Sequence, residues 1–258
     1  MKYKKRVQIM EVKALSDGIY SIWIKDSDIV REARAGQFLS IYSDDRSLLL
    51  PRPISICMLD KEKGLLRMVF RVAGKGTLEL SLKKPGDEID VVGPLGNGYP
   101  VDDGIAKEDA ILIGGGIGVP PILELARELN CKKEIVVGYR NSDTFLLEEF
   151  GQNGTVHVAT EDGSIGTKGN VIDAIRAQNV TGKVIYACGP KPMLLGVREY
   201  ARANGMKAYI SLEERMACGI GACLACVCET KDVDDHSNVH NTRICKDGPV
   251  FDAEVVWP

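Results

Sequence analysis

The chain has 258 residues, 45% of them hydrophobic and 27% charged, with a formal net charge of −3. That length accommodates two domains of ordinary size, and the near-neutral balance excludes the clustered positive field of a nucleic-acid surface. The basic start at Met1 to Arg6 leads into no apolar signal segment, and no uninterrupted apolar run approaches membrane-spanning length, so a cytoplasmic protein without membrane contact is expected.

Residues 1–100 read as β structure. Val7 to Val12 and Ile19 to Ile24 flank a Ser-Asp-Gly turn, and further strand-like runs fall at Gly36 to Tyr42, Ile54 to Met58, Leu66 to Val72 and Glu88 to Val92. About six short strands separated by Gly, Pro or Asp turns predict a small antiparallel barrel. Only Thr77 to Lys83 is ambiguous, because its leucines at 78, 80 and 82 fit neither period cleanly. Two stretches exceed what a barrel needs. In Pro51-Arg52-Pro53-Ile54-Ser55 a guanidinium fork suits a diphosphate and a hydroxyl suits a ring edge. Taken alone, a proline-marked edge strand with a surface arginine accounts better for it. In Arg71-Val-Ala-Gly74-Lys-Gly76-Thr77 paired glycines open a helix, an arrangement suited to an anion, and an ordinary turn accounts for it equally.

Residues 101–211 switch to alternating strands and helices. Apolar strands read at Ala110 to Ile113, Glu134 to Gly138, Val156 to Ala159, Lys183 to Ala187 and Lys207 to Ile210, with helices at Ile122 to Leu129, Thr144 to Phe150, Asn170 to Gln178 and Lys191 to Asn204. This pattern predicts a parallel sheet covered on both faces. The turn Gly114-Gly115-Gly116-Ile117-Gly118 fails the G-x-G-x-x-G fingerprint, because Val119 occupies the third glycine position. It still frees N–H groups for a phosphate. Cys188-Gly189-Pro190 sets a cysteine at a strand's carboxyl end before a stiff turn. Glu161 and Asp162 follow the third strand, where carboxylates would accept from ribose hydroxyls and repel a 2′-phosphate; a solvated acidic turn is an equal reading.

Residues 212–258 hold five of the eight cysteines. Cys218, Cys223 and Cys226 have the C-x4-C-x2-C spacing of a plant-type [2Fe-2S] loop, with Cys228 and Cys245 downstream. Zinc is the rival occupant, with Cys218, Cys245, His236 or His240 completing a Cys223-x2-Cys226 knuckle. The glycine-rich leading loop counts against it. Spacing does not choose among the five thiols, since Cys226 and Cys228 would share one face of a strand.

In order along the chain, Arg-Pro-Ile-Ser, Gly-Gly-Gly-Ile-Gly, Cys-Gly-Pro, Glu-Arg-Met-x-Cys-Gly-Ile-Gly-Ala-Cys and Cys-Lys-Asp-Gly-Pro-Val-Phe resemble the electron-transfer subunits of NAD-dependent (type B) dihydroorotate dehydrogenase, within the ferredoxin–NAD(P) reductase superfamily. The resemblance implies a flavin-binding barrel with FAD held at Arg52, Pro53, Ile54 and Ser55, at Val69, Phe70 and Arg71, and at Gly76 and Thr77. It implies NAD against Gly114, Gly115, Gly116, Ile117 and Gly118 and beside Gly189 and Pro190, with Cys188 as the catalytic residue bordering the nicotinamide. It implies a [2Fe-2S] cluster on Cys218, Cys223, Cys226 and Cys245, leaving Cys228 spare. The implied partner is an FMN-containing dihydroorotate-oxidising subunit, in a heterotetramer of two of each chain. Two alternatives stay open: the reductase subunit of another NAD(P)H:ferredoxin or sulfur/hydrogenase complex, and a zinc-stabilised binding module.

Overall fold

The computed structural model describes residues 2–101, 104–234 and 238–257. The first strands are β1 (Tyr3–Ser16), β2 (Ile19–Lys25), β3 (Phe38–Ile41), β4 (Arg52–Asp60), β5 (Leu65–Arg71) and β6 (Glu88–Leu95), and they close into an antiparallel barrel in the order β1-β2-β5-β4-β3-β6. The period of two fills it: Leu66, Met68 and Phe70 of β5 point inside with Ile22, Ile24, Leu39 and Ile56, while Val69 points out into a different apolar cluster. Two helices punctuate the barrel. Helix α1 (Ser27–Glu32) was not legible as a helix; it is too short to show a period, and the Asp26 carboxylate that accepts from the Asp28 and Ile29 amides starts it. The ambiguous stretch is helical, α2 (Lys75–Ser81), burying Leu80 and leaving Leu78 and Leu82 exposed.

The second unit runs β7 (Ala110–Gly115), α3 (Val119–Glu128), β8 (Lys133–Tyr139), α4 (Leu147–Gly151), β9 (Thr155–Thr160), β10 (Thr167–Lys168), α5 (Val171–Ala177), β11 (Val184–Cys188), α6 (Lys191–Ala203) and β12 (Lys207–Ser211). After it come a short antiparallel hairpin, β13 (Val227–Glu229) with β14 (Asn241–Arg243), and β15 (Val250–Asp252). The sheet order is β10-β9-β8-β7-β11-β12-β15. Its strands are parallel except β15, which adds an antiparallel edge against β12. Pro120 and Pro121 occupy the first turn of α3, where a missing N–H costs nothing.

Buried polar contacts lock the barrel to the sheet unit. Glu124 of α3 accepts from the Leu59 amide (2.9 Å) and from Arg127 (2.8 Å), and Arg127 donates to the Leu59 carbonyl (3.0 Å). Arg67 on the outer face of β5 pairs with Glu149 at 2.6 Å. The chain's end packs internally: Arg198 donates to the carbonyls of Val256 (3.1 Å) and Trp257 (2.5 Å), and the Lys191 ammonium lies 4.8 Å from the Trp257 ring centroid.

Candidate functional site: three converging cofactor elements

Strands β7 and β11 are adjacent, with Gly114 opposite Cys188, so the glycine turn and the Cys-Gly-Pro turn leave the carboxyl edge side by side. This is where the strand order changes direction, the place such sheets bind nucleotides. The glycines serve the contact between these turns. A Cβ on Gly118 would strike the backbone of Cys188 and Gly189, one on Gly115 would strike Met193 and Pro190, and one on Gly189 would lie 2.5 Å from Met193 Cε. Gly116 has φ +55°, and the Arg71 guanidinium of the barrel reaches over it, 3.7 Å from where its Cβ would stand. Ile117 packs partly buried against the core beneath. The glycine run is therefore shaped for turn-on-turn packing.

Cys188 is buried, and its Sγ lies 4.0 Å from Glu213 Oε1. Burial first, then the Glu213 charge, push this thiol far above its ordinary value, which disfavours the thiolate. Glu213 opens the third region and was not singled out by sequence. Glu213 is exposed as a residue, yet the protein packed around its carboxyl shifts that group upward, and Arg71 draws it partly back. Only the fold brings Arg71, Cys188 and Glu213 together, since each comes from a different region of the chain. At the end of β9 both acidic residues are exposed, and Asp162 is engaged by the Ser164 amide (2.9 Å) and hydroxyl (2.6 Å).

On the barrel, the Arg52 guanidinium fills the space a Cβ on Gly76 would take, and Arg52 Nη1 donates to the Leu50 carbonyl at 2.6 Å. Arg52 and Gly76 line one pocket with Tyr42, Ser43 and Lys83. The bare glycine lets the guanidinium lie against the start of the helix, and Glu79, which accepts from the Ser43 hydroxyl and the Asp44 amide, lines the same pocket. Thr77 acts on its own loop: its Oγ1 accepts from the amides of Ala73 (2.9 Å) and Gly74 (3.1 Å) and donates to the Gly74 carbonyl (3.0 Å). Ile54 and Phe70 turn their side chains to the barrel interior and offer a ligand only backbone, whereas Pro53 and Ser55 alternate to the outer face. Val69 is buried in the core between the two units.

The thiols fall into two pairs. Cys218 and Cys223 have their sulfurs 3.3 Å apart, and the amides of Cys223 (3.3 Å) and Ile220 (3.5 Å) point at Cys218 Sγ. The Cys245 amide donates to Cys226 Sγ at 3.4 Å, and the Gly221 amide donates to Cys245 Sγ at 3.1 Å, tying one pair to the other. Burial raises the Cys218 thiol, but the surrounding N–H groups and the Cys223 thiol outweigh it and hold it down at about 6. Burial and the neighbouring Cys226 raise Cys245 to about 12. Cys228 is raised to about 11, by burial first and then Glu214, and it stands cross-strand from Thr242 in the hairpin. Among the described residues no three His, Cys, Asp or Glu side chains converge as a single-ion cage. His240 is held by the Lys231 carbonyl at 2.8 Å; His236 lies outside the described residues. An all-sulfur donor set in two linked pairs, with amides aimed at the sulfurs, fits a two-iron cluster better than one zinc ion. The loop rests on the barrel, where Gly219 abuts Ser40 and Leu95, and it exposes Ile220 and Leu224 on its far side.

A barrel, a nucleotide-type sheet and a thiol loop in this order define an oxidoreductase of the ferredoxin-reductase type with an appended iron–sulfur domain. The "Ferredoxin reductase in carbazole 1,9a-dioxygenase" shares the fold, with a TM-score of 0.64 and 19% identity over 80% of this chain and 67% of that one. A structure described as "NADH-dependent reduced ferredoxin-NADP oxidoreductase" superposes with a TM-score of 0.84 and 32% identity, over 97% of this chain and 89% of that one. Residues 213–257 match the family described as the iron-sulfur cluster binding domain of dihydroorotate dehydrogenase B. The "Dihydroorotate dehydrogenase B (NAD(+)), electron transfer subunit" of Geobacillus kaustophilus is 42% identical over 98% of both chains, and its Bacillus cereus (strain G9842) counterpart is 42% identical over 97% of both. The chain belongs to the family of dihydroorotate dehydrogenase B electron transfer subunits.

Proposed function

We propose that this chain carries electrons between an FMN-containing, dihydroorotate-oxidising partner subunit and NAD+, using a [2Fe-2S] cluster and FAD, as half of a cytoplasmic heterotetramer with two copies of each chain. The observation that supports the reading is a pair of contacts made by the cysteine region: its Gly219 lies on Ser40 of the barrel, and its Glu213 lies beside Cys188 of the sheet unit. When bound, the flavin exchanges electrons singly with the cluster and pairwise with the nicotinamide, so no residue need do acid–base work.

The chain's own residues bind and orient. Arg52 and the Gly76 backbone neutralise the flavin diphosphate. Pro53 and Ser55 meet the ring on the outer barrel face, and the neutral Cys188 thiol, with Gly189 and Pro190, sets the wall against which the nicotinamide lies. Glu161 accepts from the adenosine ribose and disfavours a 2′-phosphate, which selects NAD. Cys218, Cys223, Cys226 and Cys245 are the iron ligands. The test combines purified protein with a dihydroorotate-oxidising FMN subunit. NAD+ reduction should require this chain, and the protein should contain flavin, iron and acid-labile sulfide in near-stoichiometric amounts; a colourless protein, or NAD+ reduction without it, ends the reading.

The resemblance to an NADH-dependent ferredoxin-NADP oxidoreductase supports a second reading, a reductase subunit of another NAD(P)H:ferredoxin complex. Capture of the bound partner from cells separates the two, since only the first predicts an FMN subunit that oxidises dihydroorotate.

A further inference from the structure

Ser40 is an outlier in the barrel. Its neighbours Leu39 and Ile41 fill the interior, so alternation turns Ser40 outward, cross-strand from Pro53 and Val92. It is nevertheless 1% exposed, and its Oγ has no hydrogen-bond partner among the described residues. Strand β3 lies between β4 and β6, which engage its backbone on both sides. What covers the hydroxyl is the thiol loop. Gly219, the residue after Cys218, lies against it with φ +68°, and a Cβ there would be 2.8 Å from Ser40 Oγ. The loop thus presses bare backbone onto a buried hydroxyl one residue from Cys218, whose sulfur accepts from the amides of Ile220 and Cys223.

A buried hydroxyl without an acceptor is unfavourable, and alanine would fill the same position without that penalty. Resting on the cluster assignment above, we infer that the Ser40 hydroxyl donates a hydrogen bond to cluster sulfur on the Cys218 side, and so is a positioning residue that sets the cluster's reduction potential. A donor to sulfur withdraws charge and favours the reduced, more negative cluster. Ser40 also adjoins Pro53 on the flavin-facing strand, so the hydroxyl sits between the two cofactor elements.

The test is an EPR-monitored redox titration of the FAD-loaded protein carrying Ser40→Ala or Ser40→Thr. One hydrogen bond is worth roughly a tenfold change in equilibrium. S40A should therefore lower the cluster potential by about 59 mV for one electron, and S40T, which keeps the hydroxyl, should stay within about threefold of the parent protein. Parent protein moved into D2O should lose, within minutes, a proton coupling to the reduced cluster that S40A lacks; buried amides exchange more slowly. An S40A protein with full iron and sulfide and an unchanged cluster potential overturns the inference, as does a shift confined to the flavin couple. If S40A loses its iron, absence of the fast-exchanging coupling in the parent protein overturns it independently. A parent protein without a cluster signal would instead defeat the proposed function.

Discussion

The sheet unit and the cysteine region are built on different principles. Strands β7 and β11 are buried along their whole length, β8 is buried at its centre, and α3 is buried from Val119 to Ala126. Among the described residues between Leu212 and Pro249 the strands and helices amount to two strands of three residues each, and Ile220, Leu224, Val233 and Val239 are exposed. The first region carries its own apolar core; the second borrows one, resting Cys226, Ile244 and Cys245 on the core of the sheet unit. A segment so thin in core is expected to gain order from its bound group, as small metal domains do. The lesson is that loss of the cluster should loosen one region and leave the other standing.

The sharpest way to break this contrast is Cys218→Ala. Iron content should fall to background and partner-dependent NAD+ reduction should drop by at least about 100-fold, while the far-UV spectrum and FAD content hold. Protease should then cut between 213 and 245 before it cuts the barrel; uniform sensitivity would show that the regions are not independent. Next in size is Arg52→Ala on the barrel, expected to weaken FAD by about 10- to 100-fold, the loss of a charged hydrogen-bonding partner. Fluorescence of released flavin measures it, and the iron should stay. Glu161→Gln should narrow the preference for NAD over NADP by about tenfold, measured as the ratio of kcat/KM values.

A pH experiment probes the seam between barrel and sheet. Burial raises the Glu124 carboxyl above its ordinary 4.5, despite the Leu59 amide and Arg127. The folded state therefore holds this proton where the unfolded state has released it, so stability should fall as pH climbs from 4.5 through the raised value and level off above it. Urea unfolding of the parent protein and Glu124→Gln, compared across that window, should show the slope only in the parent. The smallest effect belongs to Cys228→Ser. Its thiol lies in the hairpin outside the two sulfur pairs, so iron content and turnover should stay within about twofold.

The barrel and the alternating strands and helices were legible because their apolar residues keep one period over long runs. Six barrel strands and the parallel sheet lie where that pattern puts them. Short elements were not legible: α1 depends on a single cap, and β15 spans three residues. The ligating candidates were visible as a spacing, whereas Glu213 and Ser40 carry no motif and gain meaning only from what lies across from them.

The sequence alone determined the order of the three regions, the thiol spacing and the glycine turns, because those are local properties of consecutive residues. The tertiary structure decided the rest. It sorted the sulfurs into the pairs Cys218–Cys223 and Cys226–Cys245, brought the chain's final strand back to the sheet edge, and set Arg71 over Gly116 and Gly219 upon Ser40. The reason is physical: contacts between residues far apart in the chain follow from how whole elements pack, and no local pattern encodes which bare glycine will face which buried hydroxyl.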